Sequence, residues 1–157
     1  METLRQLEGL IDVYLPDFKY ASAELAQKYS SALDYTETAL SARREKYRQV
    51  GAYRYSSDGA LLERGLVVRH LVLPSHREDS IAALELIASA LPVENLLLSL
   101  MSQYTPDFAM DTPFKELHRR VPTFEYGRGV DAAERLGFYG FIQEKTSANT
   151  SFTPDFK

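Results

Sequence analysis

The sequence has no cysteine and no tryptophan, and its three histidines, His70, His76 and His118, show no metal-ligand spacing. Without thiolates the chain can build no disulfide frame, no cysteine-ligated zinc site, no cysteine nucleophile and no iron–sulfur site of its own. No apolar run reaches the ~18 to 20 residues of a membrane span. The opening METLRQLEGL sets Glu2 and Glu8 among its leucines, unlike a secretory signal. A cytoplasmic location with no membrane partner is therefore the expectation. Glycine-rich phosphate loops, a G-x-S-x-G elbow and basic stripes interleaved with aromatics are missing too. With 18 basic against 22 acidic residues, a nucleic-acid partner is disfavoured.

What remains is ordinary globular material, 45% hydrophobic and 25% charged over 157 residues, which suits a single domain spanning 1–157. Leu4 and Leu7 before Gly9 predict a short helix over 2–8, and LIDVYL, 10–15, has the β-branched and aromatic content of a strand closed by Pro16. Helices are predicted over 24–29 and 35–50, the second stopped by Gly51, and a polar loop over 53–64. GLVVRHLVLP, 65–74, is the strongest strand, apolar on both alternating faces as a parallel strand covered on both sides requires. Asp79 or Ser80 is expected to cap a helix carrying Ile81, Leu84, Ile87 and Leu91 at helical spacing. A strand over 95–100, a long loop over 101–122, a helix capped by Thr123 and ending near Leu136, and a strand over 138–143 follow, with 144–157 as an irregular tail.

This alternation predicts an α/β chain of about four mostly parallel strands joined by crossover helices. An open doubly wound sheet and an arc of a (β/α) barrel both satisfy the spacing. The tripeptide Pro-Asp-Phe recurs at 16–18, 106–108 and 154–156. It initiates turns, and two copies come just after predicted strands, where parallel α/β folds carry their ligands.

Asp17 and Lys19 sit two apart at the exit of the first strand, so in extended backbone both side chains project to one side. An adjacent anion and cation suit a zwitterion, the carboxylate taking an ammonium and the lysine a carboxylate. A solvated turn pair explains the spacing equally well. Arg69 lies inside the apolar strand, sharing a face with Val67, Leu71 and Leu73. A cation there requires an anion, either a structural carboxylate or a ligand carboxylate or phosphate. Ser99, Ser102 and Gln103 follow the next strand and could hydrogen-bond a ligand. His70 is expected to be a satisfied buried histidine, and Arg43, Arg44, Lys46 and Arg48 a solvated helix face.

Taken together, IDVYLPDFKY, the tyrosine-rich helix ending YRQVG, GLVVRHLVLP, VENLLLSLMSQYTP and VDAAERLGFYGFIQEKTSANTSFTPDF resemble the later half of radical S-adenosylmethionine (SAM) proteins. The branch most similar is that of pyruvate formate-lyase activating enzyme. The resemblance runs in order along essentially the whole chain. It implies a partial (β/α) barrel in which a C-x-x-x-C-x-x-C loop, absent here, holds a 4Fe–4S cluster that cleaves SAM to a 5'-deoxyadenosyl radical.

The resemblance further implies that Asp17 and Lys19, as the D-x-K motif, hold the methionine part of SAM and that Arg69 meets its carboxylate. It places Met101, Gln103 and Tyr104 near the ribose and adenine, with Ser102 where related activating enzymes carry a histidine. SAM is thus the expected cofactor, through a partial site, while the cluster cannot be bound by this chain. The expected partners are an amino-terminal half-barrel or a glycyl radical enzyme. Two further expectations are an uncovered edge on the first strand, through which copies of the chain could associate, and, as the competing reading, a non-catalytic α/β binding module.

Overall fold

The computed structural model describes residues 1–142. The elements run α1 (Glu2–Gln6), β1 (Val13–Tyr14), α2 (Ala23–Ser30), α3 (Tyr35–Val50), β2 (Arg54–Tyr55), β3 (Leu62–Leu71), α4 (Arg77–Ala90), β4 (Leu97–Met101), α5 (Thr123–Arg135) and β5 (Tyr139–Ile142), with short 3-10 turns between. The path β1-β3-β4-β5 is parallel throughout, and β2 adds an antiparallel strand to the start of β3. The fold is α/β, a segment of a partial (β/α) barrel. The irregular tail expected over 144–157 and the last residue of the strand expected over 138–143 lie outside the described residues.

The choice between a barrel arc and a doubly wound sheet is settled by which side the helices occupy. Leu66, Val68 and Val72 of the β3 region and Leu98 and Leu100 of β4 share one face, since Val68 pairs with Leu98 and His70 with Leu100. That face is covered. Leu66 and Val68 pack with Val50 of α3 and Ala83 and Ile87 of α4, and Val72, Leu98 and Leu100 pack with Leu84, Tyr126, Ala132 and Ala133. Each buried leucine there contributes on the order of 1.5–3 kcal/mol of transfer free energy. Neither core cluster includes Val67, Arg69, Leu71, Ser99 or Met101, the opposite face. Sequential strand order with helices on one side is the wall of a barrel; a doubly wound sheet reverses its order and carries helices on both sides. The opposite face carries neither core cluster, yet Val67, Leu97 and Met101 on it are buried, so the expectation that β3 is covered on both faces holds there except around Arg69 and Leu71, which stay partly exposed.

Several boundaries move for local reasons. β1 pairs through only Val13 and Tyr14 rather than over 10–15. The loop expected over 53–64 contains a hairpin: Ser56 N–H donates to Leu61 O at 2.8 Å, Gly59 takes φ +72°, and β3 already begins at Leu62. Asp79 does not cap α4. Its two oxygens instead accept the N–H groups of Ala21 (3.1 Å) and Ser22 (2.7 Å), tying the chain after β1 to α4, which starts earlier, at Arg77. α5 begins at Thr123 as its first helical residue, with Pro122 in the cap position. Ser22 caps α2, its Oγ accepting from Leu25 N–H at 3.3 Å.

Candidate functional site

Beyond Tyr14 the chain keeps extended pairing with β3 in unchanged register, and Asp17 forms an isolated parallel bridge with Arg69. Phe18 N–H donates to Arg69 O at 2.8 Å and Arg69 N–H to Pro16 O at 2.9 Å. Strand alternation then sends Phe18 and Tyr20 into the helical layer, where both are buried, and leaves Asp17 and Lys19 exposed on the other side. Arg69 pairs with Ser99, and Ser99 with Phe141. Asp17, Arg69, Ser99 and Phe141 thus form one row across the helix-free face.

Within this row Arg69 Nε lies 2.9 Å from Asp17 Oδ1. The Nε–H is not aimed along that line, so the contact is an ion pair rather than a directed hydrogen bond. Both side chains are 42% exposed. Arg69 is accordingly only partly desolvated: its Nε is buried, but the side chain as a whole lies on the barrel's inner side with an exposed polar edge. The backbone of the Asp17–Lys19 turn is fixed from below by Tyr35, whose hydroxyl accepts Lys19 N–H at 2.7 Å and donates to Asp17 O at 3.4 Å. Burial raises the Tyr35 pKa, so the phenol stays a neutral donor.

Beneath the row, His70 is buried at 1% exposure and its Nδ1–H donates to Phe18 O at 2.6 Å. Burial lowers its pKa, and the unprotonated Nε2 has no hydrogen-bond partner among the described residues. The expectation of a buried histidine holds; full satisfaction does not. Arg43 departs further from the solvated face expected of it. It is 2% exposed, its guanidinium lies 4.5 Å from the Phe18 ring centroid, and Nη1 donates to Ala39 O at 2.6 Å while Nε and Nη2 have no partner among the described residues. Desolvation lowers its pKa to about 10, which leaves it charged at neutral pH.

Two residues beyond Arg69, on the same side of β3, Leu71 enters an open cleft of about 400 Å³. Tyr29, Gln103, Tyr104, Phe108 and Phe114 supply most of its remaining wall. Gln103 Nε2 donates to Met101 Sδ at 3.8 Å, and Tyr104 Oη donates to Leu117 O at 2.9 Å. The structure therefore joins Asp17 to Arg69, leaves Lys19 exposed beside them, and puts Gln103 in the adjoining cleft. Tyr29 was not singled out by sequence, because its partners lie far along the chain: His76 Nε2 is 2.7 Å from its hydroxyl, which donates to Glu116 Oε1 at 2.6 Å. His76 and His118 thus serve loop packing, the latter within 3.0 Å of Thr112 O.

No family model matches the sequence, and no solved structure matches it. The chain is similar to the uncharacterized protein MJ0674 of Methanocaldococcus jannaschii, 24% identical over 136 residues, which cover 86% of this chain and 35% of that protein. The chain spans about a third of that relative's length. Among the described residues no group of three or more His, Cys, Asp or Glu side chains could hold a metal ion, and no helix is long and apolar enough to cross a membrane.

Proposed function

We propose that the chain supplies part of a SAM site of the kind found in glycyl-radical-enzyme activating proteins, through Asp17, Lys19 and Arg69, with Gln103 beside the adenosine end. One observation carries this reading: a half-exposed Asp17–Arg69 pair on the helix-free face, at the strand carboxyl ends, beside an aromatic-lined cleft. The donor set fits the amino acid end of SAM. An open guanidinium edge suits a carboxylate, and the second oxygen of Asp17 suits an ammonium. Leu71 continues the same face about 6–7 Å beyond Arg69, at ~3.3 Å per strand residue, so the cleft is in reach of the other end of the ligand.

The same test goes against the cluster. With no cysteine in the sequence, this chain offers no thiolate for iron. Any radical chemistry depends on ligands from another polypeptide segment. Titration calorimetry with SAM tests the assignment: weak binding is expected, reduced further by Arg69→Ala and by Asp17→Asn. Micromolar affinity unaffected by both changes would overturn it.

The second reading is a non-catalytic module that pairs with a separate amino-terminal half. It is favoured by the end position of β1 in the path β1-β3-β4-β5, where among the described residues β1 pairs with β3 alone. Mixing the chain with such a half separates the two: SAM cleavage by the mixture supports the enzyme, and association without turnover supports the module.

A further inference from the structure

The cleft beside Arg69 is built from two stretches of chain. Tyr29 and Leu71 form one wall, and residues from Gln103 to Leu117 the other. Contacts holding the second wall to α2 converge on one carboxylate. Lys28 Nζ and Tyr29 Oη both reach Glu116 Oε1, at 2.5 and 2.6 Å, and the Lys28–Glu116 contact is an ion pair. The Phe114 ring meets the Tyr29 ring edge-on at 5.0 Å, with Lys28 Nζ 5.6 Å from its centroid.

The proton arrangement follows from the donors present. A phenol has one proton, and Tyr29 gives it to Glu116; His76 Nε2, 2.7 Å away, must then carry a hydrogen and donate to the phenol oxygen. Proton and one lone pair are both committed within the protein, so Tyr29 offers the cleft its ring. The carboxylate is held ionised by these donors, Lys28 foremost, with its pKa brought down to about 2. Lys28 and Tyr29 lie on α2, His76 at the start of α4, and Glu116 between β4 and α5, so three segments distant in sequence meet at one oxygen pair.

We propose that Glu116 is a positioning residue: by anchoring Lys28 and Tyr29 it assembles the cleft, and it thereby controls binding of the aromatic end of the ligand and not of the amino acid end at Asp17 and Arg69. As to the ligand, this rests on the SAM reading above; the anchor itself stands on the contacts alone.

The probes are adenosine and methionine, titrated separately into the full chain and its variants. Glu116→Gln is expected to weaken adenosine about tenfold, the scale of trading a charge-assisted hydrogen bond for a neutral one, and to leave methionine within about twofold. Tyr29→Phe, which keeps the ring, should show the same bias to a smaller degree, and Arg69→Ala the reverse. Amide hydrogen exchange of residues 103–117 should speed up in Glu116→Gln without ligand. Equal loss of both ligands, or unchanged adenosine binding with unchanged exchange, overturns the proposal. If the unmodified chain binds neither probe, the SAM reading fails, and exchange alone decides the anchor: lost protection supports it and retained protection overturns it.

Discussion

Arg69 Nε stands 2.9 Å from Asp17 Oδ1 across the parallel bridge that joins the turn after β1 to β3. The pair is half-exposed, lacks a linear hydrogen bond, and stands on the sheet face that the helices leave uncovered. Such a pair does little for the fold and keeps both charges available to a ligand.

Its stability contribution is therefore expected to be small. A double-mutant cycle with Asp17→Asn and Arg69→Ala in urea denaturation should give a coupling below about 1 kcal/mol, as for exposed ion pairs. A coupling above about 3 kcal/mol would mark the pair as structural and remove the reason to assign it to a ligand.

Arg43 presents the opposite case, a buried cation with two guanidinium nitrogens unbonded among the described residues. Arg43→Met replaces the guanidinium over the Phe18 ring with an apolar side chain and removes that burden, so it is expected to be neutral or stabilising by about 1–2 kcal/mol. Phe18→Ala, by contrast, should cost about 3–5 kcal/mol, since Phe18 has 0% exposure at the centre of the first core cluster. Denaturation midpoints of the two variants check the contrast.

Acid should weaken the fold from near pH 6.5 downward. Burial lowers the pKa of His70 and of His76 below 6.5, so as pH falls the unfolded chain takes up protons that the native protein refuses. Well above pH 6.5, where both states are unprotonated, neither histidine gives a pH slope. Urea midpoints at pH 7.5, 6.5 and 5.5 should fall less over the first interval than over the second, and His70→Leu should reduce the fall, leaving the share of His76, while lowering overall stability.

Gly65, where β3 pairs with β1, has φ +140°, and a Cβ there would lie 2.7 Å from Tyr53 Cβ and 2.8 Å from Tyr53 Cα. Gly65→Ala is expected to cost about 2 kcal/mol or more through strain and overlap. A melting temperature unchanged from the unmodified protein would contradict that.

Anaerobic reconstitution with iron and sulfide should leave the purified chain without a stable 4Fe–4S absorption band, because the sequence offers no thiolate. Appearance of such a band would show that other ligands hold a cluster.

Long periodic segments were legible because the pattern and the end signals agreed. α3 runs over Tyr35–Val50 as expected, stopped by Gly51 at φ +70°. The hairpin over residues 54–62 was not legible, since its pairing with β3 depends on Gly59 and the Ser56–Leu61 bond rather than on an apolar pattern. Asp79 looked like a cap because local spacing cannot reveal that two N–H groups, nearly sixty positions away, claim its oxygens. Pro-Asp-Phe makes the same point: Phe18 has 0% exposure and Phe108 78% in identical tripeptides.

What the sequence determined by itself was chemistry and order: no thiolate, alternating strands and helices, and charged residues placed after the first strand and within the strongest one. These depend on residue type and on periods of two and 3.6, which need no distant partner. Only the tertiary structure decided which sheet face the helices cover, that Arg69 is open while Arg43 is buried, and that Lys28, Tyr29, His76 and Glu116 meet beside the cleft. Those outcomes hinge on parallel register and on loop closure between segments 47 and 87 residues apart, and nothing in local periodicity encodes such distances.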